Sequence, residues 1–84
     1  MNKIMDFYAD WCAPCKALEP HLKAAEIRGV VIERINVEAE KETARLFGVS
    51  TLPTLLFFTD DRIVKTIIGS HSDTPTQIQA FSGD

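Results

Sequence analysis

Between Pro53 and the pair Asp60-Asp61 the chain reads Thr-Leu-Leu-Phe-Phe-Thr, an apolar run with no polar alternation. A strand of this kind is at home only in the middle of a sheet, covered on both faces, because a half-exposed strand would alternate apolar with polar. A fold for this chain therefore needs a central strand at 54–59 with helices above and below it. Asp60-Asp61 supplies a tight turn, and residues 62–68 follow as an antiparallel hairpin partner.

The remaining elements are arranged around that strand. Residues 3–8 are rich in β-compatible side chains and read as a strand. Residues 10–12 turn the chain, and Pro14 suits the first turn of a helix, where a missing N–H costs nothing. This helix is expected to run to about Ile27, with Leu18, Leu22 and Ala25 forming a buried stripe and Gly29 a C-terminal stop. Pro20 lies inside it and should bend it. Residues 30–37 form the second strand, and a short helix is expected over 39–47, ended by Gly48. Thr74 is expected to cap the last helix, with Pro75 at its first position, Gln77 completing a capping box, and Ile78 and Phe81 facing inward. The order βαβαββα predicts an α/β fold, a four-stranded mixed sheet with helices on both faces.

At 84 residues the chain has room for one domain, 1–84, with a modest core. Its formal net charge is −3 and no basic stripe is present, which argues against nucleic acid as a partner. No stretch approaches the length of a membrane span. Asp6 and Asp10 interrupt what would have to be an apolar signal segment, so the protein is expected to act in the cytoplasm.

Only two cysteines are present, Cys12 and Cys15. A bond between them closes a very short loop and restrains the unfolded chain little, so stabilisation is a weak reason for the pair. At a strand-to-helix junction the pair has a clearer use. Cys12 sits where unpaired N–H groups and the helix dipole favour a thiolate, the nucleophile of disulfide exchange. Cys15, one turn on, is close enough to attack the mixed disulfide and release the product. Two other readings stay open at this point. A zinc site would need about four ligands, and only His21 and His71 remain, far apart in the sequence. An inert buried pair is the other.

The segment Trp11-Cys12-Ala13-Pro14-Cys15-Lys16, preceded by Asp6-Phe7-Tyr8-Ala9, resembles the active-site segment of the thioredoxin family. The resemblance extends through Pro20, Leu52-Pro53-Thr54 and Gly69, and so covers nearly the whole chain. Ala13 stands where the family usually has Gly, and Tyr8 where it often has Trp. The family normally has an extra strand and helix before the segment that opens here; a chain without them is expected to have strand 30–37 at the sheet edge, with Glu33 and Arg34 discouraging edge pairing.

The resemblance implies a protein disulfide oxidoreductase with no bound cofactor and no metal. It implies electrons from an NADPH-dependent thioredoxin reductase and protein disulfides as substrates, ribonucleotide reductase among them, with a monomer expected. It implies a cis peptide bond at Pro53, which would leave the Leu52 backbone free to pair with an extended substrate chain. Trp11, Ala13, Pro14, Leu52 and Gly69 would form an apolar rim around Cys12. Asp6, a mid-strand acid between apolar neighbours, would help deprotonate Cys15, with burial raising its pKa. Arg34 stands where the family commonly has Lys, and on an adjacent parallel strand it can pair with Asp6. Arg holds its charge more firmly than Lys, which is expected to lower the Asp6 pKa and weaken it as a base. His21, His71 and the cluster from Glu38 to Glu42 are expected to be solvated surface. Two further functions stay open: a glutathione-dependent, glutaredoxin-like reductase, favoured by Asp73, and a non-enzymatic interaction subunit.

Overall fold

The apolar run at 54–59 does form the strand it demands. A computed structural model describes residues 1–83 and gives, in chain order, β1 (Asn2–Tyr8), α1 (Ala13–Ile27), β2 (Val31–Asn36), α2 (Lys41–Leu46), β3 (Thr54–Thr59), β4 (Arg62–Ile68) and α3 (Thr74–Phe81). The spatial order is β2-β1-β3-β4. β1 pairs parallel with β2 and antiparallel with β3, and β3 pairs antiparallel with β4. The architecture is the expected α/β arrangement, with β2 at one edge.

Strand alternation divides the core into two layers. Ile4, Leu55 and Phe57 point to one face and pack with Leu18, Leu22 and Ala25 of α1 and Ile78 of α3. Met5, Phe7 and Leu56 point to the other and meet Ala44 of α2. Leu55, Leu56 and Phe57 are thus buried on alternating sides of one strand, which is why the run shows no polar positions. Phe57 packs edge-on against Phe81, ring centroids 5.0 Å apart. Burying a side chain of this size contributes roughly 1.5–3 kcal/mol.

The hairpin turn is built by Asp60 and Asp61, both left-handed with φ of 48° and 69°. Two consecutive positive φ values match the right-handed strand twist, and Asp tolerates them better than most residues. Gly29 ends α1 with φ of 102°, a conformation that favours glycine. α1 continues past Pro20 to Ile27, with one helical N–H absent at the proline.

Two expectations about helix ends need correction. α2 spans only Lys41–Leu46, and Ala39 lies instead in a turn where its N–H and that of Glu38 bond Asn36 Oδ1. Asn36 thus satisfies these backbone donors outside a helix. At α3 the N-cap position is Asp73, not Thr74, and no side chain caps the helix. Thr74 points inward, 2% exposed, and Gln77 reaches back to Asp73 at 3.4 Å. Packing under α1 has claimed the residue that sequence pattern assigns to the cap.

Candidate active site

β1 ends at Tyr8, the chain turns through Ala9 to Trp11, and α1 begins at Ala13. That turn puts Cys12 at the N-cap of α1 with an extended backbone, φ −87° and ψ 102°. Its Sγ accepts a 3.3 Å hydrogen bond from the Cys15 N–H. Cys12 and Cys15 are joined in a disulfide with their Cα atoms 5.3 Å apart. Both cysteines are buried and pack against Ala9, Tyr8, Val37 and Leu52. A sulfur receiving N–H groups at a helix start is stabilised as a thiolate once the bond is reduced.

An apolar groove of about 440 Å³ opens beside Cys12, walled by Trp11, Ala13, Pro14, Val37, Val49, Ser50 and Leu52. Four of the five expected rim residues are there. Gly69 is not: it lies in a second cleft on the other side of Pro14, together with Pro53, His71 and Ser72. Gly69 has φ of 83°, and its N–H donates to the Pro53 carbonyl at 2.8 Å. It therefore fastens the Pro53 segment from behind and does not face the groove. The Leu52–Pro53 peptide bond is cis, as the resemblance implies.

Beside the groove, Glu38, Val37 and Val49 escaped the sequence reading. Trp11 is 68% exposed, and its Nε1 donates to Glu38 Oε2 at 2.9 Å. Glu38, expected to be plain surface, thus steadies the groove's aromatic wall. Val37 and Val49 add apolar lining from the segments after β2 and α2. Nothing in the spacing marks these three, because Val37 and Glu38 follow β2 and Val49 follows α2, and only the fold brings them to the groove beside Trp11.

Behind the disulfide, Asp6 is fully buried on β1. It shares a face with Ile4, which packs on Leu18 and Leu22, and with Tyr8, which packs on the cysteine pair. Asp6 therefore sits under the first turns of α1. The parallel register sets it opposite Arg34, whose Nε donates to Asp6 Oδ2 at 3.0 Å. Arg34 also reaches Glu19 at 3.2 Å and lies over the Tyr8 ring, 3.9 Å from its centroid. Burial pushes the Asp6 carboxyl above its usual value, and the pull of Arg34 only partly offsets this. The expected lowering by Arg is present, but desolvation outweighs it.

Among the described residues no group of three or more His, Cys, Asp or Glu side chains could hold a metal ion. His71 Nε2 instead lies 2.8 Å from the Ile68 carbonyl oxygen. No described helix is long and apolar enough to cross a membrane.

A disulfide opening at a helix N-terminus beside an apolar groove, on this sheet order, defines a thiol–disulfide oxidoreductase of thioredoxin-like fold. The chain belongs to the thioredoxin family, whose model, described as Thioredoxin, matches residues 1–81. It is 40% identical over 68 residues to a thioredoxin of Chlamydia caviae and 43% identical over 68 residues to that of Chlamydia muridarum. Each alignment takes in 79% of this chain and 67% of the relative, so the chain spans about two thirds of their length. Among solved structures, a mutant thioredoxin from Halobacterium salinarum superposes with TM-score 0.81 at 29% identity, covering 99% of this chain and 76% of the other. Oxidised mitochondrial thioredoxin 3 from Saccharomyces cerevisiae gives TM-score 0.77 at 31% identity, covering 94% and 74%.

Proposed function

We propose that the protein is a cytoplasmic protein-disulfide reductase that receives electrons from an NADPH-dependent thioredoxin reductase. Its substrates are protein disulfides, ribonucleotide reductase among the candidates, and it works as a monomer. The observation that carries this reading is the open apolar groove beside Cys12. A protein segment can lay an apolar side chain in such a groove while its disulfide meets the sulfur.

In the reduced protein the Cys12 thiolate attacks one sulfur of the substrate disulfide. The substrate S–S bond breaks, a mixed disulfide forms at Cys12, and the other substrate sulfur leaves as a thiolate and takes up a proton. Cys15 then gives its proton to the Asp6 carboxylate and attacks Cys12 Sγ. The Cys12–Cys15 bond forms, and the second substrate sulfur leaves as a thiolate that takes up a proton while Asp6 releases the one it accepted. The substrate has gained two electrons and two protons. Arg34 balances the Asp6 charge, and the backbone of Leu52 beside Pro53 offers strand-like pairing to the substrate.

The test is NADPH-coupled insulin reduction with two alternative feeds, thioredoxin reductase or glutathione with glutathione reductase. Faster turnover with thioredoxin reductase is expected. Turnover with glutathione alone would overturn the assignment of the donor.

A further inference from the structure

The ion pair behind the disulfide leaves one oxygen out. Asp6 Oδ2 accepts from Arg34 Nε, but Oδ1 is buried and has no partner. Arginine commonly meets a carboxylate with two parallel N–H bonds from one edge, and Nε with Nη2 form such an edge. Here Nη2 points instead to Glu19 Oε2 at 3.2 Å, on the outer side of α1. Nη2 carries two N–H groups, and with one directed to Glu19 on α1 neither bonds Asp6, so the fork stays open.

We propose that Glu19 is a positioning residue for the reaction: it holds Arg34 Nη2 away from Asp6, so that one buried carboxylate oxygen stays free beneath α1 to take the Cys15 proton. The proposal rests on the reading of Asp6 as that proton acceptor. A closed fork would add a second charge-assisted bond to the ionised carboxylate, favour that form and make it a poorer base. Tyr8 helps to hold the open arrangement, since the guanidinium lies over its ring.

Among the described residues the charged groups that act on Asp6 are Arg34 from β2 and Glu19 from α1, with the Tyr8 ring of β1 under the guanidinium. β3 and α3 carry no titratable side chain. Lys23 and Glu26, further along α1, pair with each other at 3.6 Å. Burial raises the Asp6 carboxyl, Arg34 pulls it back, and the charge of Glu19 adds to the rise.

Glu19 could act by charge alone, and the experiment separates the two effects. The Asp6 carboxyl of the oxidised protein would be titrated by carbon-13 NMR in wild type, Glu19→Gln and Glu19→Ala. Gln removes the charge but keeps an acceptor for Nη2, whereas Ala lets the fork close. Glu19→Ala should lower the Asp6 midpoint by roughly one pH unit, and Glu19→Gln by less than half as much. Equal shifts, or none, would overturn the proposal. With Arg34→Lys as background no fork can form, so Glu19→Ala should then act no more strongly than Glu19→Gln. A larger effect of Ala there would also overturn it.

This titration reads the geometry whether or not Asp6 accepts a proton during turnover. That role is read separately, from the rate at which Asp6→Asn resolves the mixed disulfide. Resolution at the wild-type rate would overturn the part played in the reaction, even with the shifts intact.

Discussion

Trp11 and Glu38 are joined by a 2.9 Å hydrogen bond that ties the turn before α1 to the segment after β2. It holds the indole along the groove beside Cys12, where Trp11 would otherwise be free to swing into solvent. An exposed bond of this kind contributes little to stability, so its effect should appear in docking.

Glu38→Ala is therefore expected to raise KM for a protein disulfide a few-fold and leave kcat nearly unchanged. Its unfolding free energy should stay within about 0.5 kcal/mol of wild type. Glu38→Gln, which keeps an acceptor, should behave as wild type. Insulin-reduction kinetics with denaturant melts check both, and a kcat loss without a KM change would contradict the docking role.

Asp6 gives a pH dependence whose sign is unusual for an acid. Because burial raises its carboxyl, the folded state keeps the proton where the unfolded state, near 3.8, has lost it. The resulting stabilisation is fully present below the unfolded value and is lost as pH rises through the folded one. Asp6→Asn should consequently be more stable than wild type at pH 7, by roughly 1–2 kcal/mol, with a flatter pH profile. Denaturant melts at several pH values measure this. A variant less stable than wild type at neutral pH would show that Arg34 outweighs burial.

Much of this architecture can be read from the residues, for identifiable reasons. β3 and its turn are legible because a run without polar positions has one solution, a doubly covered strand, and Asp60-Asp61 marks its end. The cysteine pair is legible because Pro14 locates the helix start. The Asp6–Arg34 pair also follows, since parallel neighbours from one end of the sheet bring those positions into register. Thr74 misleads because a hydroxyl at a helix start can cap or be buried, and only the packing of α3 on α1 decides which. Glu19 and Glu38 are invisible for a related reason. Each is a surface acid in its own helix or turn, and its partner comes from another element. Gly69 is a genuine feature in the wrong role, because its distance from Pro53 can be read while the side of Pro14 on which it lies cannot.

The buried Thr74 hydroxyl has no hydrogen-bond partner. An unsatisfied buried hydroxyl costs about 1–3 kcal/mol, and replacing it with a methyl of the same shape removes that cost. Thr74→Val should stabilise the domain by about 1 kcal/mol without affecting turnover. A capping role for Thr74 predicts the reverse, a loss of about 1 kcal/mol, so a single denaturant melt distinguishes them.

The division of labour between the two cysteines yields the sharpest chemical prediction. Cys12 holds the N-cap and receives the Cys15 N–H on its sulfur, whereas Cys15 lies within the first turn, 1% exposed. In the reduced protein an alkylating agent near neutral pH should therefore modify Cys12 first, by about tenfold or more, because the helix N-terminus favours its thiolate and the groove admits the reagent. Cys12→Ser should abolish turnover. Cys15→Ser should complete only the first half of the exchange, leaving a stable mixed disulfide with the substrate that mass spectrometry detects and added dithiol releases. Equal alkylation of the two thiols would remove the helix-terminus argument. A mixed disulfide trapped by Cys12→Ser instead would reverse the order of attack, making the buried sulfur the nucleophile and leaving the groove without a part in the chemistry.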